Sequence, residues 1–331
     1  MATCCVECFA DNEVRRRITI GGIIAYCDSC GSERAYAVNC NDLSPDFTIL
    51  SSMYSATANG DRLVDLVQQH WALFSDRIKD PSRLLALLFP EADIGLYKPA
   101  SSGESFVAEW EALRDELKHV NRYFPKSAPS KAKIEELLGL LIVRSDALPR
   151  TYYRARIQRG EPDFSAAQLG PPPATLAKSG RANPDGIPYL YLSSDRETAI
   201  AEVRPSVGDR VAVATVRPRV DFSIIDLAAP RDSVSPFRLD LDYIEGFHRA
   251  MDFLAMLSRD LSSPAPPHKA GDYIATQYLC ELIKSIGYKG VRYSSSLGPG
   301  RNYAMYEDNY FIVDNDVEFV DVFEVNYNFS C

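Results

Sequence analysis

The sequence predicts an α+β protein in three consecutive parts: a thiolate-rich ribbon over residues 1–48, a helical region over 49–147 and a mixed strand-and-helix domain over 148–331. Three observations carry this. Two Cys-x-x-Cys pairs stand near the front, apolar residues recur at helical spacing through the middle, and short apolar runs alternate with amphipathic segments in the last part. With 331 residues, 46% hydrophobic and 24% charged, the chain has ordinary globular composition and room for more than one core.

Six of the eight cysteines fall in the first forty residues. Cys5-x-x-Cys8 and Cys27-x-x-Cys30 enclose eighteen residues, the interval of a four-thiolate zinc site built from two knuckles. The start Met1-Ala2-Thr3-Cys4-Cys5 has neither the basic stretch nor the apolar core of a signal peptide, and no apolar run reaches eighteen residues. A cytoplasmic location without membrane association is therefore expected, where reduced thiols read as structural zinc ligands and not as disulfides. Cys4 could replace Cys5 as a ligand, while Cys40, Cys280 and Cys331 read as packing residues or free thiols.

Beyond Pro45 the spacing turns helical, with Leu63, Leu66, Val67, Trp71 and Phe74, then Leu84, Leu85, Leu88 and Phe89. Phe106, Trp110, Leu113, Leu117, Val120 and Phe124 predict a helix over 104–124, ended by Pro125, and another is expected from Lys131 to Val143. No strand alternation is read between 49 and 147. Arg114-Asp115-x-x-x-His119 matches the arginine-to-histidine spacing of HEPN ribonucleases; on a helix the same two residues also read as solvated groups beside and opposite the apolar stripe.

In the third part, Pro188–Leu192 and Val211–Val216 read as strands, and Phe311–Val325 as two more. Ser194 followed by Glu197 forms a capping box, so a short helix should run to about Val203 before Pro205 stops it, leaving Glu202 in its last turn. Helices are expected over Tyr243–Leu261 and over Asp272–Ile286, the latter ended by Gly287. The Pro-rich stretches at 170–173 and 263–267 are loops, because periodic segments resume on both sides.

The net charge of −9 disfavours binding to a nucleic-acid backbone. Residues 151–219 nevertheless hold ten Arg and Lys against seven Asp and Glu, which suits a small anionic ligand. Within that stretch follow Tyr153-Arg154-Ala155-Arg156, the turn Gly180-Arg181-Ala182-Asn183-Pro184, Tyr191 and Glu202; Tyr293-Ser294-Ser295-Ser296 and Asn302-Tyr303 come later.

Together these blocks resemble the RES family, named for its Arg, Glu and Ser residues, over most of residues 150–314. The resemblance implies a fold similar to ADP-ribosyltransferases and an enzyme that consumes NAD, by hydrolysis, phosphorolysis or transfer of ADP-ribose to a protein. Family members commonly act as bacterial toxins countered by a neutralising antitoxin. The front region resembles the N-terminal domain that precedes some RES domains, which implies a sensing or regulatory role. On this reading Arg154 and Arg181 grip the pyrophosphate through planar, permanently charged forks, with Arg156 a competitor for the first role. Glu202 would stabilise the positive charge that builds on the ribose as the bond to nicotinamide breaks. Tyr191, with Tyr189 next, would offer an aromatic face to nicotinamide; Ser294 or Ser295 would orient the ribose or the glutamate, and Asn302 would complete the NAD contacts.

No Gly-x-Ser-x-Gly, His-Glu-x-x-His or post-strand Gly-x-Gly-x-x-Gly occurs, so NAD would be a substrate and not a Rossmann-bound cofactor. The rival class is a binding module, in which ribbon and helices recognise a protein or nucleic acid beside an inactive RES scaffold. Residues 1–50 carry four basic and seven acidic side chains, which favours protein over nucleic acid as its partner.

Overall fold

A computed structural model describes residues 2–90, 95–100, 106–128, 130–238, 247–263 and 271–325. The start of the expected 243–261 helix lies outside them. The chain divides into two compact units, Met1–Phe106 with Pro230–Phe253 and Val107–Ala229 with Leu254–Cys331.

In the first unit, strand β1 (Thr3–Cys5) is followed by helix α1 (Asn12–Gly21), β2 (Ile23–Ala25) and β3 (Ala35–Asn39), and the strands form an antiparallel sheet in the order β1-β3-β2. Asp11 starts α1 by accepting the N–H groups of Glu13 and Val14, both at 2.9 Å. Pro45, expected to end the ribbon, lies inside helix α2 (Cys40–Phe47), which leads through α3 (Ile49–Met53) to β4 (Tyr54–Thr57). Then come β5 (Asp61–Arg62), α4 (Leu63–Trp71), α5 (Pro81–Leu88) and β6 (Leu96–Pro99). Strands β4, β6 and β5 pair antiparallel, which corrects the expectation of a strand-free middle region. At two to four residues each they are too short to show alternation. Leu63, Leu66, Val67, Trp71, Leu84, Leu85 and Leu88 are all buried, as their helical spacing requires.

Helix α6 (Phe106–His119) leads into the second unit and stops earlier than its apolar spacing suggests. The Glu116 carbonyl accepts the N–H groups of both Val120 and Asn121, and the Glu116 carboxylate accepts those of Lys126 and Ser127 at 2.8 and 2.7 Å. The chain is thereby turned out of the helix, and Val120 and Phe124 are exposed, not buried. Helix α7 (Lys131–Gly139) likewise ends before Val143, which belongs to strand β7 (Ile142–Arg144).

The remaining elements are β8 (Tyr152–Ile157), β9 (Leu190–Ser193), α8 (Arg196–Glu202), β10 (Arg210–Pro218), β11 (Ser223–Asp226), α9 (Pro230–Ser233, in the first unit), α10 (Phe247–Ser262), α11 (Ile274–Ile286), β12 (Gly290–Ser294), β13 (Arg301–Met305) and β14 (Phe311–Asp321). Eight strands form one sheet in the order β14-β10-β8-β9-β13-β12-β11-β7, antiparallel except for the β11–β12 pair. The C-terminal stretch read as two strands is one, because β14 stays paired with β10 across an irregularity between Ala214 and Val216. A core of Tyr152, Leu190, Leu192, Val216, Ile224, Tyr303 and Met305 covers part of the sheet. Mixed helix and strand content around this sheet is the expected α+β class. Among the described residues no helix is long and apolar enough to cross a membrane.

Candidate active site

Register places the site. Tyr293 pairs with Asn302, Asn302 with Ser193 and Ser193 with Tyr153, so four residues on four strands stand in one row across the sheet. Side chains opposite one another in a pleated sheet share a face. Strands β8 and β9 are joined by the Tyr153–Ser193 pair alone, and Arg154 reaches past it to donate from Nη1 to the Tyr191 carbonyl at 2.7 Å. The cavity here has a volume of about 300 Å³ and is lined by Tyr153, Arg154, Arg181, Tyr191, Glu202 and Asn302, with Ser193 and Tyr293 among the others. That is the lower end of the range for ligand sites, ~300–1,000 Å³.

Glu202 is brought there by α8. Asp195 caps this helix by accepting the Thr198 N–H at 2.8 Å, one residue later than the expected Ser194 cap, while Ser194 donates to the Asp195 carboxylate. After Val203 the backbone of Arg204 turns left-handed (φ 50°) and Pro205 follows, which ends the helix directly behind the glutamate. Glu202 Oε1 accepts hydrogen bonds from Ser295 Oγ and Asn302 Nδ2, both at 2.6 Å. Its Oε2 faces Arg181 Nη2 at 3.8 Å. The loop after β12 holds Ser295 in turn, since the Leu297 and Gly298 N–H groups donate to Ser295 Oγ. Gly300 donates to Thr198 Oγ1 at 2.9 Å and fixes the loop on α8.

Arg181 rides on a turn tied from both ends. Asn183 Nδ2 donates to the carbonyls of Lys178, Pro184 and Ile187, while its Oδ1 accepts the Tyr191 hydroxyl at 2.7 Å. Burial pushes that hydroxyl well above the usual phenol range, so it remains a donor. Thr276 on α11 donates to the Arg181 carbonyl at 2.6 Å, and Arg181 Nη1 donates to the Ser262 carbonyl at 3.0 Å. Gly180 is required by close approach: a Cβ there would stand 2.6 Å from Asn183 Oδ1 and 2.8 Å from the Tyr191 hydroxyl. Arg154 has a buried Nε without a hydrogen-bond partner. Burial, helped by the charge of Arg156, lowers its guanidinium to about 10, so it is still a cation at neutral pH.

Of the residues singled out from sequence, Arg154, Arg181, Tyr191, Glu202 and Asn302 thus meet at one cavity, with Ser295 bonded to its carboxylate. Others are placed elsewhere. Arg156 donates to the Gln168 carbonyl and lies over the Phe164 ring; Ser294 donates to the Ala228 carbonyl; the Tyr189 hydroxyl donates to Glu281 while its ring packs against Tyr306. Arg114 pairs with Asp260 at 3.3 Å, and His119 is exposed, 3.9 Å from Asp115. Ser193 was not singled out and Tyr293 was quoted only within its motif, without a role; the strand register brings both in.

The other candidate centre lies in the first unit. Cys5, Cys8, Cys27 and Cys30 place their sulfurs within 4.8 Å of one another, with neighbouring sulfurs 3.5 to 3.8 Å apart. Four thiolates about 2.3 Å from a tetrahedral zinc would stand ~3.8 Å apart, so this donor set fits the ion. Cys5 is the one that joins the cluster; the Cys4 thiol, also free, is hydrogen-bonded to Cys40 instead. The two knuckles are laced together by Thr3, which donates from N and Oγ1 to Asp28, both at 2.9 Å.

Against the sheet of this α+β domain, one cavity thus gathers a carboxylate on α8 braced by Ser295 and Asn302, with Arg154 and Arg181 in its lining. The sequence model of the RES domain matches residues 151–323, more than half of the chain, and this chain belongs to the RES domain family, whose members are generally NAD-acting toxin domains. A solved structure entitled "Crystal structure of the M.tuberculosis MbcT-MbcA toxin-antitoxin complex" is similar at 15% identity, over 57% of this chain and 92% of that one, with a TM-score of 0.34. No curated protein matches.

Proposed function

We propose that the cavity binds the nicotinamide-ribose half of NAD and that the chain cleaves the bond between them, as a bacterial toxin or defence effector acting in the cytoplasm. The observation that carries this reading is the Glu202 carboxylate, held by two donors on one oxygen and open toward Arg181 on the other. As the C1′–N bond breaks, its electron pair leaves with nicotinamide and positive charge develops on the ribose ring, where a fixed carboxylate lowers the barrier. Arg154 and Arg181, both lining the cavity, are the cations for the pyrophosphate. Tyr191 supplies the aromatic wall. Water, phosphate or a protein side chain then takes the ADP-ribose.

The tetracysteine cluster would hold a structural zinc, which supplies cross-linking of the ribbon when bound. A neutralising protein is the partner expected of a toxin-class domain. The test is NAD consumption by the full chain, with products identified by mass, beside Arg154→Ala and Glu202→Ala variants of equal helix content. Loss of NAD in the parent alone is expected. Undiminished turnover by a folded Glu202→Ala protein would overturn the site.

A further inference from the structure

The hydrogen-bonding capacities around Glu202 make its two oxygens inequivalent. Resting on the NAD-cleaving reading, we infer that Ser193 is a positioning residue: through Asn302 it anchors Oε1 of Glu202, and Oε2 is thereby left as the oxygen presented to the reacting ribose.

A carboxylate only accepts hydrogen bonds, so both groups lying 2.6 Å from Oε1 must donate to it. For Ser295 this is fixed from behind, because the N–H groups of Leu297 and Gly298 donate to its Oγ at 3.1 and 3.0 Å and leave its own proton for Glu202. For Asn302, Nδ2 must point at Glu202, so Oδ1 points away, and there it accepts the Ser193 hydroxyl at 2.9 Å. Asn302 and Ser193 are direct register partners on β13 and β9, and both are buried. The amide is therefore bonded at both ends between two strands. Without the Ser193 hydroxyl its Oδ1 would be a buried acceptor lacking this donor, and the amide's hold on Oε1 would loosen. Oε2 has no such bond; the group facing it is the Arg181 cation at 3.8 Å, beyond hydrogen-bonding range.

The test uses the full chain, uniformly folded variants and two readouts. With asparagine nitrogens labelled, the side-chain NH₂ signals of Asn302 are assigned by their loss in Asn302→Ala, and their exchange with solvent is followed beside NAD kinetics. In Ser193→Ala the exchange should quicken and kcat should fall, each about tenfold, with KM within about twofold. Ser193→Thr, which keeps the hydroxyl on a β-branched strand residue, should restore both; if it fails to fold, Ser193→Cys, a weaker donor of similar size, should restore both in part. Unchanged Asn302 exchange in Ser193→Ala would overturn the inference whether or not NAD is consumed. Quickened exchange with undiminished kcat would overturn it too, since the anchor would then be idle. If the parent consumes no NAD, the function proposed above fails, while the exchange readout still decides whether Ser193 holds the amide.

Discussion

The four sulfurs of the thiolate cluster come from two tight segments, 5–8 and 27–30, whereas the cavity takes its lining from five strands or loops and one helix spread between Tyr153 and Asn302. In the first case spacing sets each pair, since two residues intervene within it, and the Thr3–Asp28 bonds lace the two knuckles together. In the second, the arrangement exists only once β8, β9, β13 and β12 are in register. A locally encoded site should therefore be lost with its ion, and a register-encoded one should lose chemistry residue by residue while the fold persists.

The largest expected effect sharpens the first half of that contrast. Structural zinc contributes roughly 10–16 kcal/mol of apparent binding energy in small zinc modules, far more than a ribbon of three short strands can supply by packing. Cys8→Ser should abolish bound zinc, measured as metal per chain, and open residues 1–40 to limited proteolysis. A variant that keeps both its metal and its protease resistance would remove the ion from the account.

Next in size is the loss of chemistry without loss of fold. Glu202→Gln keeps shape but cannot hold a negative charge on Oε2, and NAD turnover should fall by ~10²–10³ with the thermal midpoint preserved. Arg154→Ala should act on KM more than on kcat, by about tenfold or more, because a phosphate-gripping charge is used in ground and transition states alike. A KM left unchanged in a folded Arg154→Ala protein would separate Arg154 from the pyrophosphate.

The same contrast explains what was legible in the sequence. The cysteine spacing picked out the four thiols that cluster. Arg154, Arg181, Tyr191 and Glu202 were legible as neighbours through their order and through the short helix that ends ahead of Pro205. Ser193 and Tyr293 were not, because their roles depend on which residues face each other across strands, and no local pattern states that. The serine triplet could be resolved only by where β12 stops: Ser294 is its last residue and bonds inward to Ala228, while Ser295 begins the loop and reaches Glu202. The fold was misread where polar groups override apolar spacing. Glu116 accepts the N–H groups of Lys126 and Ser127 and turns the chain away, although Val120 and Phe124 continue the helical stripe.

Smaller effects probe how the register-encoded site is held. In Gly180→Ala the new methyl meets Asn183 Oδ1 and the Tyr191 hydroxyl at under 3 Å, and both are already bonded to each other at 2.7 Å. Overpacking of this kind costs about 1–3 kcal/mol, and the turn carrying Arg181 must shift to relieve it. Both the thermal midpoint and the affinity for NAD should fall. A drop in stability alone would mean that the turn does not set the position of Arg181.

The smallest expected change lies just behind helix α8. Arg204 is exposed and adopts φ 50°, a conformation that costs an L-residue roughly 1–2 kcal/mol and that glycine adopts freely, at the cost of a looser unfolded chain worth about 0.5–1 kcal/mol. The two nearly offset, so Arg204→Gly should shift stability by no more than about 1 kcal/mol, upward if at all. NAD turnover decides what the conformation is for. If the left-handed residue only ends α8, glycine serves equally and turnover is unchanged. If the side chain's rigidity keeps the last turn from fraying, Glu202 would lose its fixed reach to Ser295 and Asn302, and kcat would fall while the melting curve stayed in place.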